Sequence, residues 1–494
     1  MTNTEHKKIV VVGAGLAGIA VALRLQKQGF AVSVLEKSSE YGGKLGTFSW
    51  NDYRWDSGPS LFTAPELVDE LFLLCNKNPR DYFNYKKSET VCTYFFSDKT
   101  NIEFFFDRDK LKTEISSKLS LDLAYKTLTY LDRSKETYKR IGDFFIDNPQ
   151  VGIKDIFRKD LIVRYPHFLT SKLRKTLHQY NHTNLREQKL VQIFDRFGTY
   201  NGSNPFKMSG LYSMIPHLEQ NHGTFFPVNG MRSIVESIYE LAVESGVQFW
   251  FNQSIKSITE KSKNGFDIRT NDQLFSVDKL ICAIDHLPFY KHILKDNQLF
   301  EKYKKQERSS SALVFYWAVN TVITELGLHS IFFSEDYRQE FETIFKTKNI
   351  PESPTIYVHI SAVINKEDAP ENCQNWFVMI NTPAGITPNE NQLNELRAFI
   401  IKKIKFQFNV DLNNHIQFEK TWDAKGIEED TGSADGALYG ASSNGKLAAL
   451  KRHGNKSKKY PHLYFCGGTV HPGGGIPLVL KSAKIVAQLI SNEG

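Results

Sequence analysis

Three glycines, Gly13, Gly15 and Gly18, stand in the run GAGLAG, and a carboxylate, Glu36, follows about 20 residues later. In this pattern the first glycine permits a tight turn and the second lets the backbone approach a pyrophosphate. The third lets a helix pack closely on a strand, and the acid is placed to bind ribose hydroxyls. A second glycine-rich run, HPGGGIP, begins at His471. Asp195 and Arg196 stand in the run FDRFGTYNGSNPF and His471 opens HPGGGIP, residue types able to move a proton or stabilise a developing charge. Asp195 and Arg196 read equally as a structural ion pair at a helix end, and His471 as a loop residue bonded to backbone. Cys466 reads as a small buried hydrophobe. The sequence shows no cluster with metal-ligand spacing, no G-x-S-x-G elbow and no catalytic cysteine motif, so no metal is expected and a hydrolase has no support.

The elements around the first glycines agree with a nucleotide site. Ile9–Val12 is a β-branched run of buried-strand type, GAGLAG follows at once, and IAVALRLQKQG continues with helical periodicity. After Gly29 the chain resumes as the alternating strand AVSVLEK, which ends at Glu36 and Lys37. Phosphates would sit at the helix N-terminus, where free N–H groups and the macrodipole favour negative charge. An acid at Glu36 disfavours a 2′-phosphate, which leaves NAD or FAD. The apolar run from Ile9 to Leu23 behind His6, Lys7 and Lys8 imitates a signal peptide, but its glycines fit the nucleotide fingerprint in register and would weaken a signal helix.

At 494 residues the chain is long enough for two or three packed units. A hydrophobic share of 41% and a charged share of 24% exclude disorder and collagen-like repeats. Aromatic residues reach 13%, with 36 Phe, 21 Tyr and 6 Trp against 5 Met, which suits an aromatic core or a large apolar cavity. A net charge of +7 over this length gives no reason to expect nucleic acid. The five cysteines are widely spaced, lack a CxxC pair and read as reduced thiols. No segment offers the long apolar run of a membrane span.

Family resemblance separates the two cofactors. Gly42, Gly43 and Lys44, followed by Asp56, Ser57, Gly58, Pro59 and Ser60, resemble the extended flavin site of the amine oxidase and phytoene desaturase superfamily. LYFCGGTVHPGGGIPLVLKSAKIVAQLI, from Leu463, resembles its closing flavin motif. FDRFGTYNGSNPF and HPGGGIP are similar to runs of bacterial carotenoid desaturases of the phytoene desaturase type. FFPVNGMRSIVESI from Phe225, LICAIDHLP near Asp285 and GALYGASSN from Gly436 extend the likeness in order along nearly the whole chain, whose texture is closest to the hydroxycarotenoid 3,4-desaturase branch. The chain departs from the family where Asn229 precedes Gly230 in place of two glycines, and where Gly468 replaces a frequent alanine.

The resemblance implies FAD, bound by Gly13, Gly15, Leu16, Ala17, Gly18, Glu36, Lys37, Gly42, Gly43, Lys44, Gly58, Pro59, Ser60, Ile255, Ala283, Gly467, Gly468, Gly475, Ile476 and Pro477. It implies an α/β fold: a Rossmann-like FAD-binding domain of glutathione-reductase-like topology, a mixed-sheet substrate domain and a helical membrane-facing lid. FAD-binding parts are expected at 1–65, 227–290 and 421–494. A helical, membrane-facing substrate part is expected at 66–226 and a substrate sheet at 291–420. The implied activity is desaturation of an acyclic or hydroxylated carotenoid, with oxygen or a quinone reoxidising the flavin. Phytoene desaturase, flavin-dependent carotene isomerase and amine or porphyrinogen oxidase are the alternatives, and a non-catalytic lipid-binding protein is a more distant one.

Between Lys154 and Lys175 the basic residues Lys154, Arg158, Lys159, Arg164, Lys172, Arg174 and Lys175 interleave with apolar and aromatic ones. This reads either as an amphipathic lid packed on the protein or as a membrane-interface segment. A lipid-soluble substrate favours the second, and with it a cytoplasmic protein bound peripherally to the inner membrane. Phenylalanines in Tyr94–Phe106, near Phe157 and Phe168, and around Phe194–Phe226 are expected to line a tunnel from the basic face near Arg158 to the flavin.

Overall fold

A computed structural model describes residues 7–149, 172, 174–261 and 265–493. The β-branched run after Lys7 forms the central strand, Lys8–Val12, of a five-stranded sheet ordered Leu463–Phe465, Lys279–Cys282, Lys8–Val12, Ala31–Leu35, Gln248–Trp250. Every pairing in it is parallel. Such sheets are covered on both faces, and alternate residues of the central strand enter different cores. Ile9 and Val11 pack with helices Leu16–Lys27, Arg232–Glu244 and Ile476–Asn492. Val10 and Val12 pack towards a three-stranded antiparallel sheet, Ser257–Glu260, Phe266–Arg269 and Leu274–Val277. Three distant stretches of chain thus supply one nucleotide-type layer.

The second sheet has seven strands, ordered Ile416–Trp422, Ser311–Val319, Gln374–Thr382, Ile356–Ile360, His329–Phe332, Thr90–Phe95, Asn101–Phe105. It is mixed, because His329–Phe332 runs parallel to Thr90–Phe95 while the other pairs are antiparallel. Two of its strands therefore come from 66–226, the stretch read from sequence as helical. Ser311–Val319 is buried at all nine positions. Its alternation reflects two covered faces: Leu313 and Phe315 share a core with Ile400 and Ile404 of helix Glu390–Phe408, and Ala312 and Val314 face a cavity.

Two expectations change here. Lys172 is only 7% exposed, with Nζ donating to Thr137 Oγ1 and Ser213 Oγ and lying 4.7 Å from the Tyr180 ring. It is a core residue and cannot face head groups. The remainder of 150–171, including Arg158 and Lys159, lies outside the described residues. The expected phenylalanine lining is also corrected. Phe96, Phe104, Phe194 and Phe197 form a core with Tyr94 behind the sheet edge, and none of them lines the cavity. The rings that do are chiefly tyrosines, among them Tyr138, Tyr200, Tyr212 and Tyr357. No helix of the described residues is long and apolar enough to cross a membrane.

Candidate functional site

A cavity of about 860 Å³ runs between the two sheets. One end is framed by Glu36, Lys37, Ser38, Gln253 and Ile255. Its middle is framed by Gly13, Gly15, Leu16, Ala17, Gly42, Gly43, Lys44, Gly58, Pro59, Ser60, Ala283, Gly467, Gly468, Gly475, Ile476 and Pro477. The expected cofactor residues are thus brought together from widely separated stretches, with one exception. Gly18 does not line the cavity. A Cβ on it would lie 1.9 Å from the Gly13 carbonyl oxygen and 3.2 Å from Ala283 Cβ, so its role is close helix-to-strand packing.

The pattern fits a dinucleotide. A Cβ at Gly15 would meet no protein atom closer than Gly43 Cα at 3.9 Å, so protein packing does not require glycine there, whereas the close approach of a pyrophosphate does. Helices Leu16–Lys27 and Ile476–Asn492 begin at Gly15 and Gly475 with no side-chain cap, which leaves N–H groups available for an anion or a polar ring edge. Glu36 Oε2 accepts from the Ala14 N–H at 2.8 Å and Oε1 from the Ser38 N–H at 2.9 Å, which fixes the carboxylate beside the first turn. Gly42 N–H donates to Ala14 O at 2.9 Å, locking the second glycine pair onto the first loop. Lys44 Nζ donates to Leu438 O at 2.9 Å, and burial pushes its pKa down to about 8.

The two family departures fall where the backbone tolerates them. Gly230 has φ +79° and would place a Cβ 2.3 Å from the Arg54 guanidinium, so it stays glycine, while Asn229 is exposed with no positive φ. At Gly468 a Cβ would meet Gly474 Cα at 3.4 Å, an ordinary contact.

Opposite the glycine loops, alternate residues of the seven-stranded sheet form the cavity floor: Ala312 and Val314, Phe377 and Met379, His329 and Ile331, and Tyr357 with Thr355 just ahead of its strand. Tyr138, Ile141 and Phe145, one stripe of helix Leu121–Ile146, form a wall with Leu447 and Leu450. The floor and wall are mainly apolar, with isolated polar atoms.

The three acid–base candidates separate. Asp195 does not line the cavity: its carboxylate accepts from Asn181 Nδ2 and pairs with His178 Nδ1, each at 2.7 Å. Arg196 lines the cavity but does not pair with Asp195. It donates to Glu219 Oε1 at 2.7 Å and Tyr94 OH at 2.8 Å. His471 lines the cavity and donates from Nε2 to Asn148 O at 2.9 Å, and burial pushes its pKa down to about 4. It is therefore neutral, with its lone pair on Nδ1.

Sequence reading missed Glu219, Tyr357 and His329. Tyr357 OH lies 2.8 Å from Ser60 Oγ and 2.7 Å from His329 Nδ1. The available signal is a polar residue recurring inside an otherwise apolar strand, as in HSIF and IYVHI.

A family model described as flavin containing amine oxidoreductase matches residues 16–329. A 1-hydroxycarotenoid 3,4-desaturase from Flavobacterium sp. is 42% identical over 98% of this chain and 99% of its own length. A 4,4'-diapolycopene oxygenase from Methylomonas sp is 26% identical over 99% of both chains. A phytoene desaturase from Fusarium fujikuroi is 26% identical over 99% of this chain and 90% of its own. Among solved structures, an oxidoreductase from Methanosarcina mazei aligns with a TM-score of 0.65 at 14% identity, covering 97% of this chain and 100% of that one. Cyclohexylamine oxidase from Brevibacterium oxydans aligns at 0.63 and 12%, covering 98% and 100%. These structural likenesses show the fold. The chain belongs to the flavin-containing amine oxidoreductase family. It is an FAD-dependent oxidoreductase of that family.

Proposed function

We propose that this protein is a carotenoid desaturase acting on an acyclic carotenoid with a terminal hydroxyl, as a 1-hydroxycarotenoid 3,4-desaturase does. The observation that carries the reading is the continuity of one cavity from the glycine loops to an apolar sheet floor, together with the 42% identity to a relative of that name along the whole chain. Forming the new double bond removes a hydride and a proton from adjacent carbons. Bound FAD supplies the hydride acceptor that no amino-acid side chain provides. The chain's own residues orient the polyene between floor and wall, exclude water and take the proton.

His471 Nδ1 is the proposed proton acceptor, because His471 is neutral and lines the cavity beside the glycine loop. Arg196 has its charge balanced by Glu219 and acts as a positioning residue for Tyr94 and Glu219. Asp195, directed at His178 and Asn181, is structural. In turnover with purified holoenzyme and a hydroxylated carotenoid, the expected product is lighter by two hydrogens; a product of unchanged mass would contradict the reading. Comparing anaerobic turnover with and without an added quinone separates oxygen from quinone as the final acceptor.

The substrate's insolubility in water supports peripheral attachment to the cytoplasmic face of the inner membrane through the basic 154–175 stretch. Exposed Lys446 lines the cavity and donates to Arg174 O at 2.6 Å, and its neighbour Leu447 is 38% exposed. Charge reversal at Arg158, Lys159 and exposed Arg174 should weaken co-sedimentation with anionic liposomes. Unchanged binding would remove the attachment.

A further inference from the structure

Bound FAD brings a doubly charged pyrophosphate into a cavity that already holds the Glu36 carboxylate, whereas the N-terminus of helix Leu16–Lys27 offers only about half a positive charge. A cation near the glycine loops would restore the balance. Among the described residues, the lysines and arginines that line the cavity are Lys37, Lys44, Arg196, Arg232 and Lys446. Four of them are directed elsewhere. Lys44 donates to Leu438 O, Arg196 pairs with Glu219, Lys446 donates to Arg174 O, and Lys37 is exposed beyond Glu36.

Arg232 stands against the loops themselves. It opens helix Arg232–Glu244, whose start is fixed by Asp56: Oδ2 accepts from the Met231 N–H at 2.9 Å and Oδ1 from the Arg232 N–H at 3.2 Å. From there the guanidinium reaches the second glycine pair. A Cβ at Gly42 would lie 2.7 Å from Arg232 Nη1, which donates to Leu45 O at 3.2 Å. Gly42 in turn donates to Ala14 O at 2.9 Å and bridges to Gly15, so the guanidinium is one loop away from the backbone expected to receive the pyrophosphate.

The contacts of Arg232 fix its position and leave most of its charge unbalanced. Nε donates to Glu236 Oε1 at 3.2 Å, and Nη2 lies 3.9 Å from Glu40; the two carboxylate side chains are 42% and 78% exposed, so solvent screens both pairs. The guanidinium carbon lies 4.8 Å from the centroid of the Tyr41 ring, and Tyr41 stacks on Tyr239 of the same helix with centroids 3.8 Å apart. The Arg232 side chain keeps 13% of its surface exposed and lines the cavity, so a ligand can reach it.

We propose that Arg232 is a further cofactor-binding residue, whose guanidinium supplies positive charge to the FAD pyrophosphate from the Gly42–Gly43 side of the cavity. Its planar fork of donors suits phosphate oxygens. The assignment also accounts for glycine at 42, where φ is +118° and Nη1 occupies the space next to a Cβ. It holds whatever substrate the flavin oxidises.

The test uses purified holoenzyme. FAD dissociation is read from the fluorescence of released flavin on dilution, and displacement of FAD by ADP, which carries a diphosphate, is compared with displacement by adenosine, which does not. Arg232→Gln should raise the FAD Kd about ten-fold or more and lower the preference for ADP over adenosine by a similar factor. Arg232→Lys, which keeps a point charge, should retain most of that preference, whereas a purely structural role would weaken ADP and adenosine alike. Should the glutamine variant fail to fold, Arg232→Met, which keeps an apolar stem over Tyr41, takes its place with the same expected loss. An unchanged FAD Kd, an equal loss of ADP and adenosine affinity, or a preference for ADP that is abolished by Lys37→Gln and untouched by Arg232→Gln overturns the assignment.

Discussion

Glu36 Oε2 accepts a hydrogen bond of 2.8 Å from the backbone N–H of Ala14, so the acid at the end of the second strand is held against the turn that ends the first. The second Glu36 oxygen is bonded to the Ser38 N–H. One side chain thus shapes both the end of the cavity proposed to hold the ribose and the glycine loop proposed to receive the pyrophosphate.

Removing it should act on cofactor retention before stability. Glu36→Ala loses charge-assisted hydrogen bonds at a half-buried site, so FAD affinity should fall about ten-fold or more. The ratio of flavin to protein absorbance after gel filtration reads this directly. Full flavin occupancy in the variant would refute the ribose assignment.

Two glycine-to-alanine changes should part company. At Gly18 the added methyl would sit 1.9 Å from Gly13 O, forcing helix Leu16–Lys27 away from the strand. A loss of about 1–3 kcal/mol and poor flavin retention are expected. At Gly468 the methyl would meet Gly474 Cα at 3.4 Å, so melting temperature and flavin content should stay near wild type. Equal behaviour of the two variants would contradict the packing account.

Lys172 gives a pH signature. Burial lowers its pKa to about 8 in the folded protein, whereas the unfolded chain keeps that proton up to about pH 10.4. Between those values the unfolded state binds more protons, so this group's contribution to stability rises with pH through the window and levels off above it. At pH 7 the protonated amine costs about 3 kcal/mol. Lys172→Met should therefore be more stable than wild type at pH 7, by an amount that shrinks towards pH 10. Urea melts at the two pH values check it, and a gain independent of pH would show that Lys172 is not buried as described.

The nucleotide half of the molecule was legible because its determinants are local. Strand, turn, helix and acid lie within Ile9–Glu36, and each glycine has a backbone reason that its position in the motif reveals. The substrate half was less legible because its determinants are distant in sequence. Ser60 and Tyr357, separated by 297 positions, meet only when the seven-stranded sheet forms. Lys172 looked like a surface cation in a basic stretch, and only the helix carrying Thr137 and the turn carrying Ser213 make it a core residue. The phenylalanine-rich stretch Tyr94–Phe106 reads as tunnel lining by composition, but Tyr94 and Phe95 are packed into two different cores.

The central claim is that this cavity converts a hydroxylated carotenoid into one with an additional conjugated double bond. The most direct measurement is the absorption spectrum of pigments from cells that make 1-hydroxylated acyclic carotenoids, with and without this protein. The account predicts a red shift and a product lighter by two hydrogens. A geometric isomer of unchanged mass, or pigments identical in both cultures, would contradict it.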